Sequence, residues 1–385
     1  MKSSEVLTRQ VAEVLPSKEG LLRIMKQKRI RLYLGIDPTG GNLHLGHTIP
    51  LRKLQQFADL GHEAILVVGT GTVLAGDPSQ RSEARPRITK KEIARHMKGW
   101  KKQASKVVDF SKVKIRHNGD WLLKLRLPEL LDIAAHLPAS HLFQRDMFQK
   151  RMARGDAVGM HEVLYPLLQG YDSVVLDVDL EIGGTDQVFN MLVGRELQRK
   201  MRDREKYVLC VPMILGLDGK TMSKTSGNTV NITDAPNDMY GKLMTLQDGL
   251  VEEYFMLLTD ISLKDIQKMR QKLSPRDFKA RLALRLTSKY HGEKKAKKAE
   301  EEFLKVFRDG LLPSRIPVRA LPSKALPLSE LLRKVRFASS RSEARRLILQ
   351  GGVKVDGVRQ TKDQTFFPRK GMVLQVGKRK FAKIA

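Results

Sequence analysis

Cysteine is almost missing from this chain: of 385 residues, only Cys210 carries a thiol. An intramolecular disulfide is excluded, as is a zinc site built on several thiolates, and a reducing, cytoplasmic setting is expected. No apolar run approaches the roughly 20 residues needed to cross a bilayer. The opening stretch MKSSEVLTRQVAEVL reads as an amphipathic helix rather than a secretory signal. Acidic residues are also short, with 42 Asp and Glu against 71 Lys and Arg and a net charge of +29. A surplus of that size draws polyanions by counterion release, nucleic acid ahead of an anionic membrane surface. The imbalance is concentrated at the end, where residues 324–385 hold 16 Lys and Arg but 4 Asp and Glu.

What is present is enough apolar sequence, 41%, for two or three globular domains with real cores. RLYLGI at 31–36 reads as a strand, the glycine-rich turn after it leads into a helix beginning near His44, and EAILVVGTG at 63–71 reads as the next strand. Strand, turn, helix and strand make the first unit of a doubly wound α/β sheet, whose ligands sit beyond the carboxyl ends of the strands. A largely helical insertion is expected over about 88–170, after which VVLDVDLEIGGTDQ and YVLCVPMILGLDGKTMSKTSG resume the sheet. From 228 to 310 the spacing is helical. EKKAKKAEEEF within it reads as a solvated face ahead of an RNA contact. Four prolines in 311–327 mark an extended linker. Two amphipathic helices, LSELLRKVRFA and SSRSEARRLILQGG, and two strands, KVDG and MVLQVGKRKFAKI, then form a separate basic module.

His44 and His47 bracket Gly46 in HLGH. A zinc pair, packing histidines and a phosphate cradle are the three readings. The position after a strand and at a helix start favours the cradle, because free backbone N–H groups and the helix dipole already attract an anion there. GKTMSKTSG at 219–227 is a second candidate phosphate loop, with Lys220 and Lys224 as cations and Ser223 and Thr225 as donors. In LYPLLQGYD, Tyr165, Gln169 and Asp172 recur at helical spacing on or near one face.

HLGH and TMSKT in this order, with an α/β frame between them, resemble the HIGH and KMSKS motifs of class I aminoacyl-tRNA synthetases. Tyr33, GDPSQRSEAR at 76–85, LYPLLQGYD and IGGTDQ at 182–187 extend the resemblance to the bacterial tyrosyl-tRNA synthetases along nearly the whole chain. The tail SSRSEARRLILQGGVKVDG resembles the S4 RNA-binding fold. The resemblance implies a Rossmann-like doubly wound parallel sheet with helical insertion (1–227), an α-helical anticodon-side domain (228–310), a linker (311–325) and a small α+β S4-like domain (326–385). It implies a homodimer with no membrane association. PELLDIAAHL at 128–137 is the candidate dimer face, with an internal core helix as the alternative.

The implied activity is ligation of L-tyrosine to tRNA(Tyr) through a tyrosyl-adenylate, with ATP as substrate, Mg2+ accompanying it and no dedicated protein metal site. By matching motif, Tyr33 and Asp172 would bond the phenolic hydroxyl, Asp77, Tyr165 and Gln169 the α-ammonium, and Gln187 would face the carboxylate. Asp186 would bind the ribose, with His47 near it. Gly35, Gly46, Gly183 and Gly184 would admit the nucleotide, alongside Asp37, Met222, Ser223 and Thr225. Thr39 and His44 would meet the γ-phosphate, and Lys224, with Arg81, Arg85 and Lys220, would close over pyrophosphate. Arg341, Arg345 and Arg346 would contact RNA phosphates. One departure stands out: Thr221 occupies the position of the first KMSKS lysine, which shifts that charge to Lys220. The nearest alternative is a related synthetase for tryptophan.

Overall fold

The computed structural model describes residues 3–79, 89–222, 227–307, 312, 316–321, 324–377 and 380–385. The chain divides into two compact units, 1–293 and 294–385. The first is built on a six-stranded sheet of β1 (Glu13–Leu15), β2 (Arg31–Ile36), β3 (Glu63–Val68), β4 (Val113–His117), β5 (Leu180–Gly184) and β6 (Tyr207–Val211). Their order is β1-β6-β5-β2-β3-β4. All pairings are parallel except that of β1, which runs antiparallel to β6. The central strands are buried almost continuously, as expected for a sheet covered on both faces. From β2 the chain winds outward through β3 and β4, then returns to β5 and β6 on the other side. The switch between β2 and β5 opens a crevice at their carboxyl ends.

Two elements depart from the sequence reading. The opening stretch is helical only over Ser3–Val6; Gln10 takes a positive φ of 57° and Glu13–Leu15 becomes an edge strand on Val208–Cys210. The stretch 88–170 is mostly helical, but Val113–His117 within it pairs with β3 as the opposite edge of the sheet. Lys114 and Arg116 there are exposed between more buried neighbours, the alternation of an edge strand rather than a core one.

Ser17, Thr89, Ser262 and Ser274 cap helices by accepting backbone N–H groups through their hydroxyls. Helices Pro236–Leu243, Val251–Leu258, Leu263–Lys272 and Pro275–His291 complete the first unit. The residues just before them reach back to the turn that follows β2: Leu45 donates to the Val230 carbonyl at 3.0 Å and Ile232 to that of Leu43 at 3.0 Å.

The second unit has its own core around Leu328, Leu331, Leu332, Ile348, Val353 and Leu374. Helices Leu328–Lys334 and Arg341–Leu349 pack on a sheet in which Val353–Val355, Val373–Val376 and Lys380–Ile384 are the central strands. The two helices match those read from the sequence, whereas MVLQVGKRKFAKI forms two strands rather than one, and Val358–Gln360 and Val318–Arg319 join the sheet at its edges. Among the described residues, no helix is long and apolar enough to cross a membrane.

Candidate active site

A cavity of about 310 Å³ lies beyond the carboxyl ends of β2, β3 and β5. One end is made by the turn that follows β2. His44 stands at the N-terminus of helix Leu45–Asp59, and its backbone N–H donates to Nδ1 of His47 at 3.1 Å. The two rings lie 3.7 Å apart, and both reach the cavity wall together with Thr39 and Gly46. A Cβ at Gly46 would press on the His44 ring at 3.1 Å, so glycine is what lets this turn close on itself. Gln103, buried in helix Trp100–Ala104, clamps the turn from behind: its oxygen accepts Leu43 N–H at 2.9 Å and its nitrogen donates to Gly41 O at 2.6 Å.

The opposite end is made by helix Met160–Leu176, where spacings of four and three residues put Tyr165, Gln169 and Asp172 on one face, all at the wall. The Tyr165 hydroxyl donates to Asp37 at 3.0 Å, and Thr72 donates to the other oxygen of Asp37 at 2.7 Å. Gln169 donates to Glu181 at 3.0 Å. Asp172 accepts Trp121 Nε1 at 2.8 Å and Asn118 Nδ2 at 3.0 Å. Burial pushes the Asp172 carboxyl well above the usual carboxylate range against those two donors, with Glu181 and Asp37 adding to the rise.

Between the ends, Asp77 accepts Gln187 Nε2 at 2.9 Å, and Asn190 donates to the Gln187 oxygen at 2.9 Å. Asp186 stands beside them at the wall. Gly35, Gly183 and Gly184 bring bare backbone to the cavity. A Cβ at Gly184 would fall 2.4 Å from Asp186 Oδ1, and one at Gly183 2.7 Å from Met191 Sδ.

Tyr33 differs from the sequence expectation. It is fully buried, is not a wall residue, and its hydroxyl meets Ser173 Oγ at 3.1 Å. Packing explains it: Tyr33 lies in a layer with Ile65 and Val178, under the helix that carries Ser173. Its phenol is held well above its ordinary pKa, by burial first and then by Glu181 and Asp172. Lys220 likewise stands outside the wall, on the surface, while Thr221 and Met222 line it. Ser223, Lys224, Thr225, Arg81 and Arg85 lie outside the described residues.

Sequence reasoning missed Asn118, Glu181 and Gly69. The Asn-Gly pair after β4 was a signal for the first, but β4 itself went unread. At Gly69 a Cβ would fall 1.8 Å from Asp37 Oδ1, a constraint with no local signature. Among the described residues, no three His, Cys, Asp or Glu side chains are grouped to hold a metal ion.

In the second unit, Arg341, Arg345 and Arg346 are all exposed on one helix. Arg341 pairs with Glu330 at 2.5 Å and Arg345 with Asp363 at 3.0 Å. Arg333 and Arg341 hold the Glu330 carboxyl down at about 2. Both guanidinium groups face solvent, but Glu330 is buried, so of the two pairs Arg345–Asp363 exchanges the more readily for another anion.

A doubly wound parallel sheet, an HxGH turn at a helix N-terminus and a polar pocket facing it are the arrangement of a class I aminoacyl-tRNA synthetase core. Residues 25–308 match the family described as tRNA synthetases class I (W and Y), and residues 326–365 match the S4 domain. The chain belongs to that synthetase family. It is 42% identical over 388 residues to the tyrosine–tRNA ligase of Thermotoga maritima, covering 99% of this chain and 96% of that protein. It is 41% identical over 390 residues to that of Moorella thermoacetica, covering 98% and 94%. Among solved structures, the tyrosyl-tRNA synthetase of Archaeoglobus fulgidus complexed with L-tyrosine aligns with a TM-score of 0.63 at 22% identity, over 77% of this chain and 98% of that one. A C-terminally truncated mitochondrial tyrosyl-tRNA synthetase from Aspergillus nidulans aligns at 0.66 and 21%, over 79% and 94%. At these identities the structural likeness bears on the fold.

Proposed function

We propose that this chain is a tyrosine–tRNA ligase that joins tyrosine to ATP in the cavity, releases pyrophosphate, and passes the tyrosyl group from the adenylate to a terminal ribose hydroxyl of tRNA(Tyr). The observation that carries the reading is the spacing of two unlike ends in one cavity: a histidine-lined helix N-terminus suited to phosphate, and a carboxylate-bearing helix face suited to an amino acid.

Asp172 meets the phenolic hydroxyl, and Tyr33, bonded to Ser173, fills the layer behind the cavity. Asp77, Tyr165 and Gln169 take the α-ammonium, and Gln187 faces the carboxylate. Asp186 binds the ribose, near His47. The bare backbone of Gly35, Gly46, Gly183 and Gly184 lies along the nucleotide, with Asp37 and Met222 beside it. Thr39 and His44 meet the γ-phosphate, and Lys224, with Arg81 and Arg85, closes over the departing pyrophosphate.

The tyrosine carboxylate is ionised at neutral pH, so it attacks the α-phosphorus without a general base. The protein's work is to align the reactants and to stabilise charge moving onto pyrophosphate. Magnesium arrives with ATP, held mainly by phosphate oxygens and water. Arg341 and Arg345 exchange their carboxylate partners for RNA phosphates, and Arg346 contacts a phosphate beside them. The protein works in the cytoplasm as a homodimer, and Leu123, Leu127 and Leu131, all more than half exposed along one segment, support the pairing of subunits.

ATP–pyrophosphate exchange with tyrosine, tryptophan and phenylalanine supplied separately tests the reading. Exchange stimulated by tyrosine alone is expected; stimulation by tryptophan instead would overturn the substrate.

A further inference from the structure

Beneath the cavity wall lies a buried network that none of these roles uses. Lys206, the residue before β6, has no exposed surface; its ammonium donates to Glu181 and, at 2.8 Å, to the Ser173 hydroxyl. Glu181, itself 1% exposed, reaches the wall on its other side, where its second oxygen accepts the Gln169 amide nitrogen at 3.0 Å. Tyr33 joins through Ser173. Room for the ammonium comes from the neighbouring helix Val188–Arg202: a Cβ at Gly194 would fall 2.6 Å from Lys206 Nζ.

An ionised carboxylate only accepts hydrogen bonds, so Glu181 admits one orientation of the Gln169 amide, with nitrogen inward and carbonyl oxygen toward the cavity. A protonated carboxyl carries a donor and admits the reverse, which would turn the amide N–H groups toward a cationic ligand. A carboxyl removed from water with no cation beside it takes up a proton. Among the described residues within reach of Glu181, Lys206 is the cation.

We propose that Lys206, two contacts away from the ligand, is a positioning residue for amino-acid selection: its ion pair with Glu181 fixes the Gln169 amide with its oxygen outward, where it receives the substrate's α-ammonium. The inference rests on the reading of this cavity as a tyrosine site.

Lys206→Met keeps the shape of the side chain and removes the charge. Its effect is read in ATP–pyrophosphate exchange with tyrosine as substrate and with 3-(4-hydroxyphenyl)propionate, which lacks the ammonium, as competitive inhibitor. The KM for tyrosine is expected to rise at least about tenfold, while kcat, the KM for ATP and the inhibition constant of the propionate stay within about threefold. In a Gln169→Ala background the same substitution is expected to add nothing to the tyrosine KM. Because Lys206→Met strands a buried acid, the double variant Lys206→Met/Glu181→Gln, which buries no charge, is measured beside it and is expected to show the same selective loss.

Equal weakening of tyrosine and the propionate, an unchanged tyrosine KM, or an undiminished effect in the Gln169→Ala background would each overturn the proposal. If the unaltered protein exchanges ATP with tyrosine, only the role of Lys206 falls. If it does not, the tyrosine reading falls and takes this one with it.

Discussion

Nδ1 of His47 accepts the backbone amide of His44 at 3.1 Å, which leaves the proton of a neutral His47 ring on Nε2. One histidine therefore orders the helix start while the other is delivered to the phosphate end of the cavity. His44→Ala is predicted to lower kcat for exchange by about a hundredfold, the usual cost of losing one donor aimed at developing charge. The KM for tyrosine should not change. His47→Ala should do similar damage and also cost about 1 kcal/mol of stability through the lost cap. Steady-state kinetics and thermal unfolding of both variants separate the two effects.

Asp172→Asn tests the amino-acid end. Asparagine offers one oxygen where two are used, so either the Trp121 indole or the Asn118 amide loses its acceptor, at about 1–3 kcal/mol for a buried donor. Tyrosine KM is predicted to rise about tenfold or more at that cost. The preference for tyrosine over phenylalanine should fall with it, because one of the two oxygens able to accept the hydroxyl is gone. Exchange assays with both amino acids give the ratio.

Gln103→Leu removes both hydrogen bonds that clamp the turn at Gly41 and Leu43. The expected result is a loss of about 2 kcal/mol in unfolding free energy from two stranded backbone groups. A lower kcat/KM for ATP should accompany it, with tyrosine binding, followed by intrinsic fluorescence, left intact.

The two lysines of GKTMSKTSG make unequal predictions. Lys220 is exposed and off the cavity wall. Lys224→Ala should therefore slow tyrosine activation more than Lys220→Ala, and a larger loss at Lys220 would reverse the assignment. Pre-steady-state adenylate formation is the measurement.

Arg151 and Glu162 form a buried pair, with two hydrogen bonds of 2.8 and 3.1 Å between side chains 4% and 3% exposed. Burial alone would raise the Glu162 carboxyl, but Arg151 and the Gly159 amide outweigh it and hold it below the ordinary value. A carboxyl depressed in the folded state stabilises fully above its unfolded pKa and loses that contribution as pH falls through the folded one. Arg151→Met should cost about 3 kcal/mol at neutral pH by stranding the carboxylate. The gap in unfolding midpoint between the two proteins should narrow as the solution is acidified below the ordinary carboxylate range.

Much of this site could be read from residues alone, for identifiable reasons. The β2 turn announces itself because an apolar run, a cluster of glycines and a helix start fall together, and Tyr165, Gln169 and Asp172 share a face by helical period. Tyr33 shows the limit. Alternation along a strand says that its side chain points to the face of Gly35, but the packing of the covering helix decides whether it lines a cavity or fills the layer beneath. Lys206 was invisible for a related reason: a lysine just before a strand reads as solvated unless Glu181, far away in sequence, is known to lie across from it. The edge strands β1 and β4 escaped because short, half-exposed segments carry little periodic signal. Three of the proposed phosphate ligands, Lys224, Arg81 and Arg85, remain statements of sequence.

The backbone bonds from Leu45 N–H to the Val230 carbonyl and from Ile232 N–H to the Leu43 carbonyl stitch the start of the helical region onto the residues flanking His44. That seam has a mechanical meaning. A force on the helices that follow Ile232 reaches the histidine turn directly through these two bonds, so the two must shift together or the seam must part.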